Sequence, residues 1–454
     1  MKINQLIAAA LVAVGLVSAA SAATTLSGGS GTTNVVFMTG STAFRGNIYN
    51  TVTNNAIGND GTLFDTNFPV VVAQPSGAAV GVGTSIYYAS GKIGGNYYII
   101  SFDFTGSEAG IASVAGATVT QTLPANAAMG LAAGTYNIPN ATPTIAFFLP
   151  GGANPPTALY APDLAMADTS QAVSLTKTPV LTEYGIVGVV NFVWAKGKNT
   201  APDSSWNNLG NVTIPNLLTL AAGSVSASFF TGNSADTDPI YLIGRNKGSG
   251  TRVNMFLDLT KPLVSAVGQY AYNSAYSAAG KLSFNGTYPA ITGVGDLKYI
   301  ANDGYESGGD VSKVLSCNIN GKPLITLGYM GINDALAARD GSGSQPAGAV
   351  WLTQDGVPFN NGNVEIGAYP FWGHEHLYGR NGQLTTDVGG IVAQKFASTS
   401  SYPDISTYQS GTARGAIALY GQLGGATASA QDNGIDAAYM ACDKTGDTGY
   451  PTQF

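Results

Sequence analysis

Residues 238–259 read DPIYLIGRNKGSGTRVNMFLDL, and this stretch decides how the rest of the chain is interpreted. The apolar run Tyr241–Ile243 predicts a short buried strand, and the apolar spacing after Thr251 predicts a helix. The glycine-rich segment between them ends in Gly-Ser-Gly-Thr. The first N–H groups of a helix lack partners within that helix, and its dipole makes this end positive, so such a turn favours an anion. Arg245 adds a planar, permanently charged group that suits a tetrahedral oxyanion, so the stretch predicts an anion site.

Two other segments share the plan of a strand, a Gly-Ser turn and the start of a helix. They are Gly40–Thr42 and Gly106–Glu108. In the first stretch, Ser249 and Thr251 can either donate hydroxyl hydrogen bonds to a ligand or cap the helix. Each turn alone is compatible with an ordinary capped helix start. The three together, with Arg245 beside the last, favour convergence on one anion.

Asp168 is the acidic residue that bears on the choice of anion. It is compatible with a solvated turn or a helix cap. A carboxylate beside a bound oxyanion repels it unless a proton lies between them, and phosphate carries such a proton near neutral pH whereas sulfate does not. In this second interpretation Asp168 selects phosphate and leaves sulfate beside an unpaired like charge.

The composition indicates an acidic protein long enough for two packed domains. The chain has 454 residues, of which 44% are hydrophobic and only 10% are charged, and its formal net charge is −7. This length can supply two sizeable cores. The acidic balance argues against a nucleic-acid partner, which needs a broad basic face, but it does not exclude an anion held by local dipoles and one arginine.

The N-terminus predicts export. Residues 1–22 have the pattern of a signal peptide, with Lys2 before the apolar run 6–17 and a cleavage motif at Ala20-Ser21-Ala22. A membrane helix is the alternative, but the apolar run is short for a bilayer span. No cysteine lies at the cleavage site, so no lipid anchor is expected. The mature protein is expected to be soluble and either periplasmic or secreted.

The cysteines and histidines leave two questions open. Cys317 and Cys442 are the only cysteines, and they could form a disulfide in an oxidising compartment. His374 and His376 would share a face of a strand, as metal ligands can, but a surface strand is favoured and no metal is expected. Nucleophile-elbow and Walker A motifs are absent, and only two histidines are present, so catalytic residues and cofactors are not expected. A phosphatase-like enzyme is the disfavoured alternative.

Four segments resemble the phosphate-binding proteins of bacterial ABC importers, a branch of the two-lobed periplasmic solute-binding fold of type II. RNKGSGT at 245–251 is similar to the family's Arg-x-x-Gly-Ser-Gly-Thr loop, and DLAMAD at 163–168 resembles its D-x-x-x-x-D segment. GSTAF at 40–44 and GSEAG at 106–110 resemble the first two loops. IVGVVNFVWAKG also resembles the strand that crosses into the second lobe. The similarity covers scattered motifs within residues 34–340.

The resemblance implies an α/β fold with a ligand cleft between two lobes. Lobe 1 would comprise residues 34–185 plus 366–454, with insertions, and lobe 2 residues 186–365. It implies a monomer that captures inorganic phosphate, or a similar oxyanion, and delivers it to an ABC permease in the inner membrane. The implied ligand contacts are Ser41, Thr42, the backbone near Phe44, Ser107, Asp168, Arg245, Ser249, Gly250 and Thr251.

Two departures from the family pattern bear on this prediction. The spacings before Asp168 are long, so insertions decorate lobe 1. The family often has an acidic residue two positions after the arginine, where this chain has Lys247. An acid there would brace the arginine and temper the positive potential of the site. Lysine does neither, so the affinity and the choice between phosphate and other oxyanions stay open. The alternative function is a secreted surface or matrix protein that reuses the fold for adhesion or assembly.

Overall fold

The computed structural model describes most of the chain between residues 32 and 400 and a short C-terminal part. The described ranges, apart from residues 82, 264, 278–279, 281, 283 and 285–286, are 32–53, 63–65, 70–74, 79–116, 135–137, 146–147, 158–159, 162–400, 442–444, 447 and 451–453. The predicted signal peptide and most of the predicted insertion lie outside the described residues. Among the described helices, none combines the length and the apolarity that crossing a bilayer requires.

The structure alternates strands and helices, which confirms the predicted α/β class. The strands are β1 (Thr32–Gly40), β2 (Val71–Ala73), β3 (Ile86–Ile93), β4 (Asn96–Asp103), β5 (Thr135–Asn137), β6 (Ala146–Phe147), β7 (Ala158–Leu159), β8 (Leu164–Ala167), β9 (Thr182–Lys196), β10 (Asn211–Val212), β11 (Val225–Ser226), β12 (Pro239–Ile243), β13 (Gln269–Tyr272), β14 (Leu297–Ala301), β15 (Ile325–Gly331), β16 (Val350–Trp351), β17 (Thr353–Gln354), β18 (Trp372–Gly379), β19 (Cys442–Asp443) and β20 (Thr452–Gln453). The helices are α1 (Arg45–Thr53), α2 (Ser107–Val114), α3 (Ser204–Asn208), α4 (Ile214–Ala221), α5 (Ser228–Thr231), α6 (Gly250–Asp258), α7 (Gly308–Leu315), α8 (Ile332–Asp340), α9 (Asn361–Glu365) and α10 (Val388–Ser400).

One large mixed sheet organises the described residues. Its strand order is β11-β12-β15-β9-β18-β8-β1-β4-β3-β2, with β16 also paired to β9 and β5 to β1. The pairs β1–β4, β1–β8 and β12–β15 are parallel, whereas β9 is antiparallel to β15 and β18, and β18 is antiparallel to β8. The parallel groups at the two ends of the sheet therefore run in opposite directions.

Strand β9 joins the two parallel groups. The predicted apolar run Tyr184–Trp194 lies within this strand, and its C-terminal half is buried on both faces, as expected for a covered strand. Its first part pairs with β18 and its last part with β15. Because β9 runs through position 186, the strand pairing marks no boundary there, and the division into two lobes remains a prediction.

The register of β9 brings the carboxyl ends of the two parallel groups towards each other. Ala167, at the end of β8, pairs with His376 of β18, which in turn pairs with Ile186 of β9. Gly331, at the end of β15, pairs directly with Phe192 of β9. Six residues of strand separate these levels, which corresponds to roughly 20 Å. Ligands of open α/β sheets bind beyond the carboxyl ends of the strands, so this gap is where the topology places a site.

Residues 238–259 fold as their sequence predicts. The apolar run lies in β12, and α6 begins at Gly250 with Ser249 as its N-cap. The same strand-to-helix step recurs from β1 to α1, from β4 to α2 and from β15 to α8. Residues 327–336 form the end of β15 and the start of α8.

The two cysteines are free thiols, so the disulfide that the sequence left open is not formed. Both are buried, but they belong to different hydrophobic clusters. The Cys317 thiol donates to the Lys313 carbonyl at 3.5 Å, and the Cys442 thiol donates to the Val364 carbonyl at 3.6 Å. Each thiol therefore packs as a small apolar group within its own core.

Candidate anion site

Arg245 follows β12 directly and is held from two sides. On one side, Nε donates to the Tyr305 carbonyl at 3.3 Å and Nη2 to the Glu306 carbonyl at 3.0 Å. On the other side, Nη2 donates to the Thr42 hydroxyl at 3.2 Å and Nη1 to the Thr251 hydroxyl at 3.3 Å. The side chain is buried, with 1% of its surface exposed. Two of the predicted ligand contacts, Thr42 and Thr251, therefore lie at the guanidinium.

Asp168 pairs with Ser107, which brings the second loop to the predicted acceptor. The Ser107 hydroxyl donates to Asp168 Oδ1, and the Asp168 N–H donates back to the Ser107 Oγ at 3.2 Å. A Cβ at Gly250 would lie 1.5 Å from Asp168 Oδ1 and 2.7 Å from the Ser107 Cβ. The backbone at the start of α6 therefore contacts this pair directly.

Backbone hydrogen bonds join the three loops. The Gly106 N–H donates to the Gly40 carbonyl at 2.8 Å, and the Ala109 N–H donates to the Gly248 carbonyl at 3.4 Å. The Ser41 N–H donates to the Met166 carbonyl at 2.8 Å, two residues before Asp168. The N-terminal ends of α1, α2 and α6 are thereby assembled around one place, as the sequence predicted for the three turns.

Two of the predicted serines act as local caps. The Ser41 Oγ accepts from the Phe44 N–H at 3.3 Å, and the Ser249 Oγ accepts from the Arg252 N–H at 3.3 Å. Both serines are fully buried. A hydroxyl that accepts through its oxygen still has its own proton to donate, so capping and ligand contact are compatible. The structure thus brings the nine predicted residues into one neighbourhood, while their role as ligand contacts remains a prediction.

The electrostatics of Asp168 suit a hydrogen-bond acceptor. Burial raises the pKa of its carboxyl to about 6, while the Ser107 hydroxyl and the positive charge of Arg245 lower it in part. The carboxylate is therefore ionised near neutral pH. It lies beside the N-terminal ends of α2 and α6 and is acted on by the positive charge of Arg245.

The negative charge of Asp334 acts on Arg245, although position 247 is a lysine rather than an acid. Burial lowers the pKa of Arg245, and the negative charge of Asp334 is the largest effect that raises it again, ahead of that of Asp168. Asp334 also pairs with Arg45 at 3.6 Å, whereas Lys247 is exposed. An acid in the first turn of α8 thus raises the pKa of the arginine, although the two residues are far apart in the sequence. Its position after the Leu-Gly-Tyr-Met-Gly strand was the only available signal.

Glu375 is a buried acid at this site that the sequence analysis missed. It is 0% exposed and pairs with Gly188, between the two levels of β9 at which the parallel groups end. Burial raises the pKa of Glu375 well above its usual range, the Asp168 charge raises it further, and the Ser41 side chain lowers it. Among the described residues, neither carboxyl oxygen has a partner with hydrogen-bond geometry. The signal in the sequence was an acid between two histidines in a segment that is otherwise apolar.

The histidine pair is buried rather than on a surface strand, so that expectation was wrong. His374 and His376 are 5% and 4% exposed, because β18 lies in the middle of the large sheet. Together with Asp447 they form a group whose ligand atoms lie within 4.8 Å of one another, which could hold a metal ion. Asp447 was missed because nothing local in the sequence connects it to β18.

Comparisons with known proteins find similarity only at the level of solved structures. No protein-family model and no curated protein matches the sequence. A phosphate ABC transporter substrate-binding protein of Clostridium perfringens, solved with bound phosphate, is 14% identical and has a TM-score of 0.40, with 80% of this chain and 93% of that chain covered. PstS of Borrelia burgdorferi is 12% identical with a TM-score of 0.32, and 77% of this chain and 88% of that chain are covered.

A DING protein is similarly distant, at 12% identity and a TM-score of 0.39, with 88% of this chain and 90% of that chain covered. All three structures are at most 14% identical to this chain, with TM-scores of 0.40 or less. Likeness of this degree does not transfer a ligand, so the function proposed below rests on the geometry of the site.

Proposed function

We propose that this protein binds inorganic phosphate at the cluster formed by Arg245, Asp168 and the N-terminal ends of α1, α2 and α6. The observation that carries the proposal is the convergence of these groups, which come from four separate parts of the chain. The guanidinium, the helix N–H groups and the hydroxyls are donors, and the Asp168 carboxylate is an acceptor. This set matches an oxyanion that retains a proton.

The contacts within the cluster suggest how phosphate would be accommodated. Arg245 donates to the hydroxyls of Thr42 and Thr251, and Ser107 donates to Asp168. Buried polar groups pair with one another when no ligand is present. A phosphate would exchange these internal hydrogen bonds for hydrogen bonds to its own oxygens. The proton on phosphate would take the place of the Ser107 proton at Asp168, which a sulfate ion cannot do.

Calorimetric titration of ligand-stripped protein with phosphate and with sulfate tests this function. We expect phosphate to bind and sulfate to compete weakly. Asp168→Asn should weaken phosphate binding more than sulfate binding, because the amide cannot accept a proton with the strength of a carboxylate. Folded protein that shows no binding of phosphate would refute the proposal, and equal losses for the two anions would refute the acceptor role of Asp168.

We also propose that the site binds phosphate without chemical conversion. Within the described residues, the cluster contains no histidine or cysteine beside a hydroxyl that could act as a base-activated nucleophile. Sustained hydrolysis of a generic phosphate ester, lost in the Arg245→Ala variant, would overturn this part.

The wider role that we propose is export and delivery of phosphate, as a monomer, to an ABC importer. Binding between two lobes would couple ligand capture to closure, and a permease would recognise the closed form. Phosphate uptake by a strain that lacks the protein tests this role, and uptake should fall at low external phosphate. Unchanged uptake, together with protein on the cell exterior regardless of phosphate supply, would instead support the surface or matrix role.

A further inference from the structure

Strand β18 presents two histidines on one face, opposite to the face of Glu375. Side chains alternate along a strand, so residues two apart lie side by side. The His374 and His376 rings are 6.1 Å apart between centroids. Asp447, from the C-terminal segment, reaches both. Its Oδ1 lies 2.8 Å from the His374 Nδ1, and its Oδ2 lies 2.8 Å from the His376 Nε2.

We propose that His374, His376 and Asp447 bind one divalent transition-metal cation of the zinc class, and that this cation fastens the C-terminal segment to the central sheet. Two imidazole nitrogens and one carboxylate form a ligand set that suits zinc. The site is separate from the anion cluster in its residues and in its chemistry. Its existence therefore does not depend on the proposed phosphate binding.

The three groups lie close enough together for side-chain movements to bring them onto one metal. Zinc binds nitrogen and oxygen at about 2.0–2.2 Å, so two ligand atoms of a tetrahedral centre lie about 3.3 Å apart. The three ligand atoms already lie within 4.8 Å of one another, and both histidine–carboxylate contacts are 2.8 Å. A cation would replace the protons between these atoms. The two histidine–carboxylate separations would widen by about half an ångström, and ligand atoms that lie farther apart would close by up to about 1.5 Å.

A second carboxylate orients one of the histidines in the way that metal-ligating histidines require. The Glu183 Oε1 lies 2.7 Å from the His376 Nδ1. Once a metal displaces the proton between Nε2 and Asp447, the imidazole keeps its proton on Nδ1, is neutral and binds the metal through Nε2. Carboxylates placed in this manner fix the tautomer and the orientation of zinc-binding histidines. The Ser170 N–H donates to the Asp447 Oδ2 at 2.6 Å and holds the third ligand in the same way.

The position of the site indicates a structural role for the metal. Asp447 belongs to the same short segment as Lys444, which is itself anchored in the core by Asp258. A metal bound to β18 and Asp447 would provide a second anchor, which joins residues more than 70 positions apart in the chain. Ligands that bind only the folded state stabilise it by mass action, so the metal should raise the melting temperature.

The test uses full-length mature protein that has been stripped with a chelator and transferred to phosphate-free buffer. Titration with Co²⁺ should produce the visible absorption of a low-symmetry four-coordinate site at one equivalent, and Zn²⁺ should abolish that absorption by competition. Zinc should also raise the melting temperature of the stripped protein. Absence of a saturable one-equivalent site for both cations would overturn the proposal and leave the group as a network of charged hydrogen bonds.

Three variants separate metal binding from a purely structural effect. Asp447→Asn should weaken Co²⁺ binding at least 100-fold, and Glu183→Gln, which does not alter a ligand, should weaken it 10- to 100-fold. Glu375→Gln is the matched control, because it alters a buried acid between the two histidines that is not among the ligands. This control should retain one equivalent of Co²⁺ with unchanged affinity. Equal affinity in all three variants would overturn the assignment, as would equal loss in the control and in Asp447→Asn.

Discussion

The Arg245 guanidinium donates to the Thr42 hydroxyl at 3.2 Å, although the two residues are 203 positions apart in the chain. Thr42 follows β1 on one side of the gap along β9, and Arg245 follows β12 on the other side. This hydrogen bond therefore links the two groups of parallel strands across the proposed anion site. The predictions for Arg245, Gly250, Asp168 and Thr42 test parts of that arrangement, and the last one tests a buried ion pair elsewhere in the core.

Arg245→Lys should reduce phosphate affinity at least 100-fold, which corresponds to about 2.7 kcal/mol. Lysine keeps the charge but loses the planar fork that reaches two hydroxyls and two carbonyls at once. Titration calorimetry measures the loss. Arg252→Lys is the matched control, because Arg252 is also a buried arginine but donates to the backbone carbonyls of Arg245 and Asn302 rather than to the hydroxyls of the cluster. Similar losses in both variants would mean that the fork of Arg245 has no special role.

Gly250→Ala should abolish phosphate binding, because the new methyl group would lie 1.5 Å from Asp168 Oδ1. Relieving that clash has to move either the Asp168 carboxylate or the start of α6, so stability should also fall by about 1–3 kcal/mol. The control lies two residues away in the same loop. A Cβ at Gly248 would have ordinary contacts at 3.5 and 3.7 Å, so Gly248→Ala should bind phosphate normally. Phosphate binding and unfolding are measured for both variants.

Asp168→Asn should increase stability at alkaline pH while it weakens phosphate binding. The folded protein raises the pKa of Asp168 from 3.8 to about 6, so it holds this proton more tightly than the unfolded chain does. The contribution of Asp168 to stability is then fully present below about pH 3.8 and is lost as the pH rises through about 6. This difference in pKa between the folded and unfolded states corresponds to about 3 kcal/mol of folding stability.

Urea unfolding at pH 4 and at pH 8 should therefore show a gain of about 1–3 kcal/mol for Asp168→Asn at pH 8 and little change at pH 4. Asp340→Asn serves as the control, because the adjacent Arg339 lowers the pKa of that exposed carboxyl. The contribution of Asp340 to stability therefore changes with pH in the opposite direction. A loss of stability at pH 8 in Asp168→Asn would show that the buried charge is not a cost to folding.

Thr42→Val should weaken phosphate binding by about tenfold, because it removes a hydroxyl from the guanidinium and from the site while keeping a side chain of similar shape. Thr42→Ser retains the hydroxyl and should keep most of the affinity. Calorimetry on the two variants separates the effect of losing the hydroxyl from the effect of losing the methyl group. Equal affinity of the valine variant and the unmodified protein would show that Thr42 does not contact the ligand.

Lys444→Met should destabilise the protein by about 3–5 kcal/mol, because it leaves the buried Asp258 carboxylate without its cation. The Lys444 Nζ lies 3.0 Å from the Asp258 Oδ1 and donates to the Trp372 carbonyl at 2.7 Å. Replacing both charges, as Lys444→Met with Asp258→Leu, should recover most of the loss. Chemical denaturation of the single and double variants measures the coupling, and additive losses would contradict the buried ion pair.

Local spacing was enough to predict several elements. A strand, a glycine-rich turn and a capped helix depend on residues within a few positions of each other, so β12 and α6 could be located from the sequence around Arg245. The same holds for the long apolar strand β9 and for the turns at Ser41 and Ser107. The chemistry of these residue types also indicated an anion rather than a metal or a nucleophile at this cluster.

The tertiary structure decided which distant groups meet. The charge of Asp334 in α8 acts on Arg245, Glu375 lies between the two strand ends, and Asp447 reaches the two histidines from the C-terminal segment. These relationships depend on the order and register of strands in one large sheet, in which a neighbour in space can be hundreds of residues away in the chain. Sequence by itself determined the local elements and the chemistry that each could offer. Burial, pairing and the charge balance of the sites were determined only when long-range strand pairing brought those elements together.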